Sequence, residues 1–169
     1  MKMTSSQAHK LIRQLGDELK TLEAREAKTR TFVAATVEDI ESVRPEYDYD
    51  ATQTAIIELQ NKIRKVKHRL NVFNATTVVP GFDMTIDMML VYMPQLTHRK
   101  SRLANMKTAM PKERMEGCYS RSSSIIEYSY VNYDIDKANA DYLAVSDELA
   151  RAQTALDLIN STVEFELDF

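Results

Sequence analysis

Apolar residues recur along most of this chain at steps of three and four, the spacing that gathers them on one face of an α-helix. The clearest run comes late. Ile135, Ala138, Tyr142, Val145, Leu149, Ala152, Leu156 and Ile159 alternate the two steps without a fault. They predict a helix over residues 134–161, and a helix of roughly 25 residues spans about 37 Å at 1.5 Å per residue. Ile56, Leu59, Ile63, Val66, Leu70 and Phe73 form a similar heptad-like seam and predict a helix over 51–73.

Two further stretches carry the same pattern with interruptions. Ala8, Leu11, Ile12, Leu15, Leu19 and Leu22 open a helix read over residues 5–43, with Thr4, Ser5 or Ser6 as its N-cap. Threonines and Phe32-Val33 break the pattern between Thr29 and Thr36, where a second short helix or a loop fits. Gly16 lies inside the helix and leaves room for a close neighbour. Ile86, Met89, Leu90, Met93 and Leu96 predict a helix over 84–107 with Asp83 as its N-cap. Pro94, inside it, removes one backbone donor and predicts a kink. Pro45 and the run Val78-Val79-Pro80-Gly81 punctuate the helices.

The period changes in two places. Residues 117–133, rich in Tyr, Ser and β-branched residues, read as a β arm or small hairpin turning at Ser122-Ser123-Ser124. Residues 163–169 alternate apolar and acidic side chains strictly, which predicts a short strand needing an edge to pair with. The expected fold is therefore mainly α. It is a single helical domain over 1–169, built as long antiparallel hairpins or a bundle, with a small β hairpin and a terminal strand. The apolar seams are narrow, so the core is expected to be completed by oligomerisation.

Composition agrees and narrows the function. Three glycines among 169 residues leave no room for a glycine-rich phosphate loop. A net charge of −3 argues against a nucleic-acid binder. The only cysteine, Cys118, excludes an intrachain disulfide and a cysteine-based zinc cage, and His9, His68 and His98 are too scattered for a metal site. No cofactor and no metal are expected. The N-terminal residues lack a signal-peptide pattern and no apolar run is long enough to span a bilayer, so the expected setting is the cytoplasm.

Several clusters carry candidate chemistry. Lys62, Arg64, Lys65, Lys67 and Arg69 place five formal positive charges within eight residues, a face for phosphates or simply a solvated or paired surface. Tyr119-Ser120-Arg121 joins an arginine fork, suited to phosphate or carboxylate, to a tyrosine face suited to a base. Tyr128 and Tyr130, alternating on one strand face, extend that cluster unless they pack against helices. Asn71, Asn74, Thr76 and Thr77 suit a helix end, and serve a ligand only if Arg121 comes near. His98, Arg99 and Lys100 follow the Pro94 kink. Asp83 with Asp87, and Glu164 with Glu166, read better as caps and a solvated strand face than as catalytic pairs. No base accompanies Cys118, and the methionines clustered between Met84 and Met115 read as core or as an adaptable groove.

Three fragments also carry a family likeness: Leu70-Asn71-Val72-Phe73-Asn74-Ala75-Thr76 at a helix end, Tyr119-Ser120-Arg121-Ser122 in the extended segment, and Ala155-Leu156-Asp157-Leu158-Ile159-Asn160 before the terminal strand. With the order of elements, they resemble a group of small bacterial and phage-associated proteins known as septicolysin-like. The chain departs from that pattern at Tyr92-Met93-Pro94 and at Phe165-Glu166-Leu167. The family name implies a cytolytic toxin, which no feature of these residues supports by membrane insertion.

The expected function is a non-catalytic homo-oligomer that holds a small anionic, nucleotide-like ligand between subunits. Tyr119, Ser120 and Arg121 would hold it, with Asn71, Asn74, Arg69, Arg99 and Tyr128 as further candidates. In a phage-derived protein, sequestering a signalling nucleotide fits that description. A structural or protein-interaction module is the alternative, a septicolysin-like toxin a second one. An enzyme lacks a recognisable nucleophile–base pair.

Overall fold

A computed structural model describes residues 1–114 and 126–168. It is mainly helical, with β1 (Lys2–Thr4), α1 (Ser5–Thr29), α2 (Ile40–Val43), α3 (Tyr49–Thr76), α4 (Ile86–Met106), β2 (Lys112–Arg114), β3 (Tyr128–Tyr130), α5 (Ile135–Thr162) and β4 (Glu164–Glu166) in order. The strands form two antiparallel pairs, β1 with β4 and β2 with β3. The described residues fall into two compact units, one of residues 1–77 and 158–169, the other of 78–157.

The first unit is a helical hairpin closed by a strand pair. α1 begins at a capping box: the Thr4 hydroxyl accepts from the Gln7 amide at 3.3 Å, and the Gln7 side chain accepts from the Thr4 amide at 2.9 Å. α3 begins under Asp48, whose carboxylate accepts from the Ala51 amide. The two helices run antiparallel, since Arg25 with Ala55 and Glu18 with Lys62 line one groove between them. Their seams bury Ala8, Leu15, Ile56, Leu59, Val66 and Leu70, as the three-and-four spacing predicts.

α1 stops at Thr29, well short of residue 43. The Thr29 hydroxyl turns back onto the Arg25 and Glu26 carbonyls, and the β-branched run that follows has no apolar partner to hold it helical. Residues 31–39 are irregular, and helix resumes only in the single turn of α2. The loop is refastened at Glu26, whose Oε1 accepts from the Tyr47 hydroxyl at 3.0 Å and from Gln53 Nε2 at 2.7 Å. Burial of its ring and the Glu26 carboxylate beside it raise the Tyr47 phenol above its ordinary pKa.

The terminal strand pairs with the other end of the chain, which the sequence pattern did not mark as a strand. Lys2 lies opposite Glu166, Met3 opposite Phe165 and Thr4 opposite Glu164. The Leu167 amide then donates to the Met1 carbonyl at 2.8 Å and the Met1 amino group to the Leu167 carbonyl at 2.9 Å. Met3 and Leu167 are 2% and 1% exposed, and Phe165 stacks on Phe73 of α3 at 5.0 Å between ring centroids.

The second unit opens with a turn. The Phe82 amide donates to the Val79 carbonyl, and Gly81 takes φ +80°, the Pro–Gly order a type II turn requires. Val78 bridges Thr85, and the Val79 amide donates to the Met84 carbonyl. This pairing keeps Thr85 extended, so Thr85 rather than Asp83 caps α4 and the helix starts at Ile86. α4 runs unbroken through Pro94. Leu96 and Leu103 pack on Val145 of α5, with Tyr92, Met106, Tyr142 and Leu149 around them. α5 starts under the Asp134 carboxylate, which accepts from the Asp136 and Lys137 amides at 2.9 and 3.1 Å. Its buried positions Ala138, Val145, Ala152 and Ile159 repeat every seven residues.

The arm expected over 117–133 is a strand pair that begins earlier. β3 does fall in that range, but its partner β2 is Lys-Glu-Arg, residues without strand propensity. The expected turn at Ser122–Ser124 lies outside the described residues.

Candidate functional site

The β2–β3 pair presents the most chemically distinctive surface of the second unit. Alternation and register together decide what shares a face. Lys112 lies opposite Tyr130 and Arg114 opposite Tyr128, so two cations and two phenol rings occupy one side, with Glu113 and Ser129 on the other. All six residues are exposed, Tyr128 at 43% and Tyr130 at 64%. Lys112 Nζ sits 4.0 Å from the Tyr128 ring centroid and 5.5 Å from that of Tyr130. The rings lie 6.5 Å apart and are tilted by 52°. Cation and aromatic plane are thus paired on one exposed face.

The pair is held to its unit at its base, beside Lys112 and Tyr130. The Val131 amide donates to the Pro111 carbonyl at 3.2 Å, and the Tyr133 hydroxyl donates to the Met106 carbonyl at the end of α4 at 2.8 Å. A second cation–aromatic contact lies on the helices, where Lys107 Nζ is 3.6 Å and Lys100 Nζ 5.8 Å from the Tyr142 ring centroid. Further along, the Tyr92 hydroxyl donates to Glu148 Oε1 at 2.6 Å. That bond, burial and the Glu148 charge raise the Tyr92 phenol above its ordinary value, with Arg99 opposing them weakly.

The residues nominated from the sequence belong to different units or lie outside the described residues. Tyr119, Ser120 and Arg121 lie outside the described residues, as does Cys118. Tyr128 belongs to the exposed face just described. Arg99 is exposed on α4 in the same unit. Arg69, Asn71 and Asn74 belong to α3 in the other unit. There Arg69 Nη2 is engaged at 3.0 Å with Asp168 Oδ2 just past β4, Asn71 is exposed, and the Asn74 Oδ1 is buried without a hydrogen bond among the described residues. Asn71 and Asn74 sit inside the last turns of α3, which is capped at Thr77. Lys112 and Arg114 were missed. Their signal was a cation at every second position, matching Tyr128 and Tyr130, but the pairing that makes it meaningful is not local.

Two of the grooves among the described residues each lie within one unit. One, of about 540 Å³, lies between α1 and α3 among Glu18, Leu22, Arg25, Glu58 and Lys62. The other, of about 670 Å³, is mainly apolar and follows α4 past Leu90, Met93, Pro94, Thr97 and His98 to Leu156 of α5. His98 thus lines a groove beside the proline, and among the described residues lining it there is no second His, Cys, Asp or Glu. Among the described residues, no cluster of three or more His, Cys, Asp or Glu side chains is arranged to hold a metal ion. No helix there is long and apolar enough to cross a membrane.

No family model and no curated protein matches the chain. Among solved structures, a conserved protein of unknown function from Corynebacterium diphtheriae is similar at a TM-score of 0.56 and 15% identity, over 98% of this chain and 100% of that one. At that identity the likeness shows a shared fold and nothing about ligands.

Proposed function

We propose that the protein is a non-catalytic binding module whose β2–β3 face takes a small anionic, nucleotide-like ligand. The observation that carries this reading is the exposed quartet Lys112, Arg114, Tyr128 and Tyr130 on one side of a strand pair. Arg114 offers a planar fork and Lys112 a point charge for phosphate oxygens, while the outer faces of the tyrosines offer stacking to a base. Arg121 and Tyr119, in the connection between the two strands, have the same chemistry by sequence. The arrangement provides recognition without a nucleophile–base pair, so binding rather than turnover is the function it supports.

The test is a thermal-shift and calorimetric screen of the full chain against mono-, di-, tri- and cyclic nucleotides. A ligand that binds the native state raises the Tm with concentration. Arg114→Ala and Tyr130→Ala are expected to abolish the rise without lowering the Tm of the free protein. If no phosphorylated ligand moves the Tm, or if both variants respond like the parent, the reading fails.

A further inference from the structure

The outer face of α3 carries exposed apolar residues among charges of both signs. The seam of α3 that packs in the first unit carries Ile56, Leu59, Val66, Leu70 and Phe73. On the opposite side of the helix lie Asp50, seven residues later Ile57, and then Asn61, Arg64, His68 and Val72 at three- and four-residue steps, all exposed. Two of them are apolar: Ile57 is 54% exposed and Val72 42%.

Charge is distributed unevenly along that face. Glu46, Asp48 and Asp50 precede or open the helix, and Lys62, Arg64, Lys65, Lys67 and Arg69 fill its second half. Complementing the helix dipole does not account for the basic block, because the dipole acts on the last turn and α3 continues to Thr76. Internal pairing does not account for it either. Among the described residues Arg69 alone of this block forms an ion pair, while Arg64 bonds the neighbouring Asn61 side chain and Lys62, Lys65 and Lys67 pair with no acid.

We infer that two copies of the chain associate through an antiparallel α3–α3 contact centred on Ile57. A two-fold axis at Ile57 sets that residue against its own copy. Seven residues to either side it sets Asp50 of each copy against Arg64 of the other, making the ion pair twice. The acidic residues Glu46 and Asp48 before α3 then lie at the end of the contact where the second helix carries its basic block, which favours this orientation. A parallel arrangement would stack basic block on basic block. The contact uses residues of the first unit only and is independent of any ligand on the β2–β3 face.

Light scattering on the full chain is expected to give twice the 19.4 kDa chain mass. Asp50→Arg and Arg64→Asp, each at an exposed position, are expected to weaken the dimer about tenfold, the sum of two surface ion pairs. The double variant, which reverses both charges, is expected to recover it. In a Cys118→Ser background, Ile57→Cys should form an interchain disulfide on mild oxidation. Val72→Cys should not, since the axis holds the two copies of residue 72 about 45 Å apart at 1.5 Å per residue. Circular dichroism identical to that of the parent establishes that each variant is folded. A chain that stays monomeric throughout the micromolar range overturns the inference. So does a dimer that cross-links as well at residue 72 as at 57, or a charge swap that fails to recover association.

Discussion

β1–β4 and β2–β3 are both antiparallel pairs of three-residue strands, and they use their side chains in opposite ways. β1–β4 joins the two ends of the described chain and sends Met3 and Phe165 inward, where Phe165 meets Phe73 and the neighbouring Leu167 is almost wholly buried. β2–β3 buries none of its six side chains and shows water a face of two cations and two phenols. Strand pairing by itself therefore assigns no role. An isolated two-stranded pair is marginal in water, so each needs an external support. For β1–β4 the support is apolar burial against α3. For β2–β3 it is a few polar anchors at its base, which leaves the face exposed to water.

Substitutions that separate the two pairs should do so on a graded scale. The largest effect is expected from Phe73→Ala, which removes a buried ring and its stack on Phe165 and should cost about 3–5 kcal/mol in denaturant unfolding. A loss below 1 kcal/mol would mean that β4 is not held by α3. Next comes Thr4→Ala, at the junction of β1 and α1. Losing the side-chain acceptor for the Gln7 amide should cost about 1 kcal/mol, visible as a lower Cm with an unchanged m-value.

A smaller effect is confined to alkaline solution. Because the folded state raises the Tyr92 pKa above 10.0, it keeps a proton that the unfolded chain releases. Stability is complete below pH 10 and declines as the pH climbs through the raised value. Tyr92→Phe should remove this increment of alkaline loss, which urea unfolding between neutral and strongly alkaline pH would reveal. Last, Tyr130→Ala on β3 should change stability by no more than about 0.5 kcal/mol, as expected for an exposed side chain. A loss as large as that of Phe73→Ala would erase the distinction between the pairs and turn the β2–β3 face into structure.

Much of the fold was legible because helix formation is read locally. The steps along Ile135–Ile159 and Ile56–Phe73 predicted α5 and α3 to within a few residues, and the buried positions are those of the seams. The Pro80-Gly81 turn was legible for a similar reason, since proline favours the φ of the first central position and glycine the positive φ of the second. The end of α1 was not. Its apolar stripe gives out near Leu22, and the Thr29 hydroxyl competing for helix carbonyls is a weak signal against the strong start. The candidate site was half legible: Tyr128 and Tyr130 announced themselves by alternation, whereas Lys112 and Arg114 acquired a role only through the register that sets them opposite.

The amino-acid sequence by itself determined which stretches are helical, which face of each is apolar, and that the last residues are a strand seeking an edge. These are decided by contacts three, four or two residues apart. Tertiary structure alone decided what that strand pairs with, because Lys2–Thr4 is too short to carry a period and becomes β1 only when Glu164–Glu166 lies beside it. It decided likewise that Lys-Glu-Arg is a strand and that its cations share a face with two tyrosines. Pairing energy comes from hydrogen bonds to a partner distant in sequence, and no local pattern encodes where that partner will be.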